Sequence, residues 1–187
     1  VEGYAGSAVQ IAFLEAIVSS TTNTTTVDLE LPTMIFVHAF NPWGMSHYRR
    51  TNEHNVDLNR NALTDTEWQS YAGANHYNRA NYERFDSYLF NPARAPTLMA
   101  SAVEFWVRAL IALQQHGLPT LKAAMVGGQY YQPKGIFYGG TETEPSTRLV
   151  EDFMKEYLSQ HEELSTQTVT WIDVHTGIGP LGEDTMM

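Results

Sequence analysis

The stretch Asn41–Asn61 reads NPWGMSHYRRTNEHNVDLNRN, and the reading of the whole chain turns on it. It follows Met34-Ile35-Phe36-Val37, a run β-branched and aromatic enough to be a buried strand. Asn41-Pro42 and Trp43-Gly44 then read as a turn. The adjacent arginines Arg49 and Arg50 come next, and after them Val56-Asp57-Leu58-Asn59-Arg60-Asn61. Arg49, Arg50 and Arg60 supply fixed positive charge. A guanidinium also pairs with a carboxylate through parallel hydrogen bonds. Asn59 and Asn61 add neutral amides, and Asp57 can orient a neighbour. Together these groups compose a receptor for an anionic substrate end. The same residues also make a plain solvated loop braced by an Asp57–Arg60 pair, and composition leaves both readings open.

Bulk properties narrow the class. A chain of 187 residues is long enough for one domain with a real core, and 43% hydrophobic residues mark it as globular. The formal net charge of −10 argues against a nucleic-acid partner, which calls for a basic face. Eight arginines against three lysines suit carboxylate recognition better than phosphate steering. No apolar run approaches the length of a membrane span, so no membrane partner is expected. There is no cysteine, which excludes disulfides, thiolate metal sites and a cysteine nucleophile. Any metal must be held by His, Asp and Glu. The compartment is not fixed by these features; a cysteine-free chain is compatible with the cytoplasm, which is the favoured location.

Outward from the central stretch, the apolar residues of 7–19 predict a largely buried helix. Residues 62–96, rich in Tyr, Asn and Arg, predict long ordered loops with short helical turns. His47, His54 and His76 fit no metal spacing and read as surface or hydrogen-bonded histidines. Residues 97–117 predict a helix stopped by Gly117, with Pro119 beyond. Residues 121–126 predict a strand leading to the glycine pairs Gly127-Gly128 and Gly139-Gly140. These pairs mark tight turns, or alternatively a close approach to a ligand. Residues 145–164 predict a helix capped by Ser146 or Thr147. Residues 168–174 predict a last strand running into His175. A histidine at the carboxyl end of a strand stands where α/β sheets bind ligands, although such a residue is also commonly structural.

The Asn-Pro-Trp-Gly turn, the arginine pair and Asp-Leu-Asn-Arg-Asn resemble the zinc carboxypeptidase superfamily, which also holds succinylglutamate desuccinylase and aspartoacylase. The Tyr138-Gly139-Gly140 segment looks like one in a bacterial carboxypeptidase-like branch of it. The resemblance implies an α/β fold with a mixed central β-sheet flanked by helices. It implies that Arg49 or Arg50, with Asn59 and Arg60, holds the substrate carboxylate, and that Arg49 also stabilises the developing oxyanion. It implies zinc as the cofactor. Glu2 is then a ligand from the end of a His-x-x-Glu motif whose histidine would lie two residues before Val1, and His175 of Asp-Val-His-Thr-Gly is the second histidine.

The expected activity is that of a zinc-dependent hydrolase cleaving an amide next to a carboxylate-bearing residue, as a carboxypeptidase or an N-acyl-amino-acid deacylase. The expected partner is accordingly a small molecule or peptide with a free carboxylate. The alternative is a non-catalytic carboxylate-binding module that has lost the metal. The superfamily's general base is a glutamate well beyond the second zinc histidine. Residues 1–187 are therefore expected to be an internal part of the catalytic domain, inactive alone, with Glu183 a loop residue.

Overall fold

Small and aliphatic residues dominate the opening of the chain, and the helix they form, α1 (Glu2–Asn23), is longer at both ends than the apolar run predicts. In the computed structural model, residues 2–23, 32–71, 78–85, 89–90, 97–161 and 169–174 are described. Two compact units make up the chain. One joins Val1–Arg50 to Met154–Met187; the other is Thr51–Phe153.

In the first unit, residues 32–37 carry no regular secondary structure and are tied to α1 through side chains. Gln10 Nε2 donates to the Val37 carbonyl at 3.1 Å, and Ser7 Oγ is hydrogen-bonded to His38 Nδ1 at 3.4 Å. The Phe13 and Phe36 rings meet with centroids 6.3 Å apart. A short helix, α2 (Pro42–Ser46), follows.

The second unit is built on α3 (Asp65–Tyr71), α4 (Arg79–Phe85), α5 (Phe105–Val126) and the start of α6 (Pro145–Gln160). A five-residue π-helical segment, Ala100–Glu104, leads into α5. Thr64 and Glu67 close a reciprocal cap on α3: the Thr64 N–H donates to Glu67 Oε2 at 2.8 Å, and the Glu67 N–H donates to Thr64 Oγ1 at 3.4 Å. The Thr64 amide and hydroxyl hold the Glu67 carboxyl below the usual range. The core gathers Tyr82 and Phe85 of α4, Phe90, and Ala112 and Ala124 of α5. Phe85 meets Phe90 at 5.5 Å and His116 edge-on at 5.3 Å.

The expected mixed central sheet is absent among the described residues, and the α/β assignment is corrected on this finding. Among the described residues the protein is helical and has no β-ladder; a single bridge, Gln129 to Tyr138, is the nearest thing to one. The run at 34–38 forms no strand, because an apolar β-branched run becomes one only when a neighbour pairs with it. Residues 169–174 likewise form no strand and are exposed. Residues 121–126 are not a strand at all but the last turns of α5. Leu121, Ala124 and Met125 face the core at helical spacing, and a six-residue apolar run does not distinguish the two periods. Gly117 does break the helix, with φ 76° and ψ 157°, but the chain turns helical again beyond it. Pro119 is tolerated because it falls in the first turn of the restarted segment, where its missing N–H has no intrahelical partner to lose.

Candidate functional site

The Asn-Pro-Trp-Gly turn is a self-contained cap. Asn41 Oδ1 accepts the Gly44 N–H at 2.8 Å, and Pro42 occupies the first helical position of α2. There is no room for a Cβ at Gly44, which lies against the Asn41 side chain and the Arg49 carbonyl. The Arg49 N–H donates to the Gly44 carbonyl at 2.8 Å, and Asn41 Nδ2 donates to the Arg50 carbonyl at 3.2 Å. The turn thus fixes the backbone of the arginine pair and leaves both side chains exposed. His47 stacks on Trp43, centroids 4.3 Å apart, and lies on the surface.

Asp57–Asn61 forms a second turn, in the other unit. Leu58–Arg60 is one turn of 3-10 helix, and Asp57 caps it by accepting the Asn59 N–H at 3.2 Å. The Asp57 N–H donates to the Tyr138 carbonyl at 2.7 Å. Asp57, Leu58 and Asn61 are buried, whereas Asn59 is exposed and Arg60 half-buried. Asn61 is wholly committed to structure. Its Nδ2 donates to the carbonyls of Gly139 at 2.9 Å and Glu142 at 2.8 Å, and its Oδ1 accepts the Glu144 N–H at 2.7 Å. It is therefore not one of the amides offered to a ligand, contrary to the expectation from composition.

Arg60 has a double role. Its NH2 group donates to the Val126 carbonyl at 2.7 Å, which satisfies the C-terminus of α5, and its stem lies over Gly128. NH1 donates to the Asn59 carbonyl at 2.9 Å. The rest of the guanidinium has no partner among the described residues, so part of the fork remains for an anion. The structure brings Asn59 and Arg60 together on one turn, and Arg49 and Arg50 together on another. Glu2 opens α1; its side chain and the whole of His175 lie outside the described residues, as do His76 and Glu183.

Glu144 and Asn52 emerge from the structure alone. Glu144 Oε2 accepts Asn52 Nδ2 at 2.7 Å and the Nδ1–H of His54 at 2.8 Å. The local signal at Glu144 is a residue before Pro145 at a helix start, which says nothing about a partner 92 positions away. The glycine pairs resolve as close packing within the protein. Gly139 lies under the Tyr130 ring and Gly128 under Arg60.

Among the described residues no group of His, Cys, Asp and Glu is placed to hold a metal, and no helix is long and apolar enough to cross a membrane. Residues 1–187 match the model of the family described as "Protein of unknown function (DUF2817)". No curated protein and no solved structure matches the chain.

Proposed function

From the premise that the chain belongs to DUF2817 along its whole length, we propose that it is a zinc-dependent hydrolase of the zinc carboxypeptidase superfamily. The reaction is cleavage of an amide next to a carboxylate-bearing residue, in a peptide or an N-acyl-amino acid. The observation that carries this reading is the division of labour in Asp57–Asn61. Asp57, Leu58 and Asn61 are buried and build the turn, and they leave Asn59 and part of Arg60 turned outward. An amide beside a guanidinium is chemistry matched to a carboxylate.

In this reading Asn59 and Arg60 grip the substrate carboxylate. Arg49 and Arg50 supply further positive charge, and Arg49 donates to the carbonyl oxygen as charge develops there. Fixing the carboxylate fixes the register of the scissile amide. Glu2 and His175 would hold the metal. A carboxylate oxygen and an imidazole nitrogen are donors of the kind zinc takes, so the donor set fits in kind. The chemistry that zinc supplies when bound is Lewis-acid polarisation of the scissile carbonyl.

A second reading, a non-catalytic carboxylate-binding module, draws support from the same turn. Its hydrogen bonds are completed by residues 57–61, 126, 130 and 138–144, without any proposed metal ligand.

Asn59→Ala gives the cleanest test, because the side chain is exposed and outside the structural hydrogen bonds of the turn. The intact protein is assayed on N-acyl-amino acids and their carboxamide analogues. The variant is expected to raise KM for the acids by about tenfold to a hundredfold, the worth of hydrogen bonds to a charged group, and to leave kcat and folding unchanged. An unchanged KM for every hydrolysed acid would remove Asn59 from the site.

A further inference from the structure

Glu144 touches both ends of the Asn52–Asn61 segment. Its backbone N–H donates to Asn61 Oδ1 at 2.7 Å, and its Oε2 accepts Asn52 Nδ2 at 2.7 Å and the Nδ1–H of His54 at 2.8 Å. Asn52 passes the constraint onward, since its Oδ1 accepts the N–H groups of His54 at 3.0 Å and Val56 at 2.9 Å. The carboxylate end of this network is fixed and the imidazole end meets water: the Glu144 side chain is 10% exposed and that of His54 is 60% exposed.

We propose that Glu144 is a positioning residue that clasps the segment bearing Asn59 and Arg60, and that a proton on His54 sets how firmly the clasp is closed. The clasp is independent of what the turn binds. Only one consequence rests on the function proposed above, namely that affinity for a carboxylate falls as the clasp loosens.

The charge arrangement favours such a switch. The charged groups acting on His54 are Glu144 and its neighbour Glu53, both acids. The hydrogen bond to Glu144 and then the charge of Glu144 raise the imidazole pKa above its ordinary 6.5, and desolvation only partly offsets them. A group whose pKa is raised by folding contributes stability that is fully present below 6.5 and is lost as pH rises through the folded value. Above that value neutral His54 keeps a hydrogen bond but loses the charge, while Asn52 still holds the carboxylate. The segment therefore loosens without detaching.

The test is NMR of the protein without ligand or metal, so that failure here leaves the carboxylate-binding reading untouched. The His54 ring is titrated, and exchange protection is followed at the Val56, Asp57 and Asn61 amides, whose N–H groups are hydrogen-bonded in the segment. The His54 midpoint is expected above 6.5, with the Nδ1–H tautomer. Protection, corrected for intrinsic exchange, should fall about twofold to fivefold between about pH 6 and about pH 8, the scale of an exposed ion pair. Glu144→Gln should bring the midpoint back to 6.5 or below. His54→Asn changes an exposed side chain, folds even where Glu144→Gln does not, and should make protection independent of pH. A wild-type midpoint at or below 6.5 would overturn the proposal. So would a pH dependence of protection no greater than that of His54→Asn.

Discussion

Replacing Asn61 with alanine is expected to lower the unfolding free energy by about 2–4 kcal/mol, at the high end of single substitutions. The side chain is 0% exposed and fully hydrogen-bonded. Alanine removes its donations to the Gly139 and Glu142 carbonyls and the acceptor for the Glu144 N–H. Each backbone group so orphaned carries its own desolvation penalty. The partners lie 78 to 83 positions away in sequence, so the loss also disconnects the 57–61 turn from the segment beneath it. Asn61→Asp is the sharper variant. It keeps the size and the bond from Glu144, but turns an acceptor toward two carbonyl oxygens and buries a charge. Urea unfolding with an unchanged m-value is the measurement. A shift within about 0.5 kcal/mol, as at an ordinary surface position, would show that Asn61 does not hold the turn.

Gly139→Ala is expected to cost about 1–3 kcal/mol by overpacking. A Cβ there would run into the Tyr130 ring. That ring has little room to yield. It is 4% exposed, Trp68 meets it edge-on with centroids 6.0 Å apart, and Tyr71 lies at 5.9 Å. Its hydroxyl donates to the Arg60 carbonyl at 2.7 Å, so a displaced ring pulls on the candidate site itself. Backbone strain is not the cause, because Gly139 does not have the positive φ of its neighbour Gly140, at 90°. Gly3→Ala on α1, with nothing within 4 Å of the added carbon, is the matched control and should be neutral or slightly stabilising. Thermal unfolding of both variants, read against the control, decides it; equal melting temperatures would contradict the packing described here.

How much of this was legible in advance varies with the range of the interaction that decides each feature. The Asn41–Gly44 turn was readable because its partners are local: Asn41 Oδ1 satisfies the nearby Gly44 N–H. The cap read at Ser146 or Thr147 was not, since α6 begins at Pro145 and both residues fall inside it. Helices at 2–23, 105–126 and 145–160 overlap those read from apolar spacing, with ends displaced, but α1, expected to be largely buried, is mostly exposed, with Ile11, Phe13 and Val18 on the surface. The supposed strands failed for a different reason. An extended preference at 34–38 or 169–174 does not say whether a pairing partner exists, and 121–126 carried a pattern compatible with either period.

Within the site, residue type alone could not sort Asn59 from Asn61. Both are amides in one five-residue string, and only burial shows that one faces outward and the other holds the turn. Arg60 was visible as a cation but not as a cap for α5, since that depends on where Val126 ends. Glu144, His54 and Asn52 were out of reach because their meeting depends on contacts 90 and 92 positions apart.

The central claim is the metal-dependent hydrolase, and elemental analysis tests it most directly. The protein is made from its natural reading frame, beside the same protein carrying His175→Ala. About one zinc per chain in the first, lost in the second, is the predicted result. No zinc in either would contradict the claim and leave the turn at Asn59 and Arg60 as a carboxylate-binding site without hydrolytic chemistry.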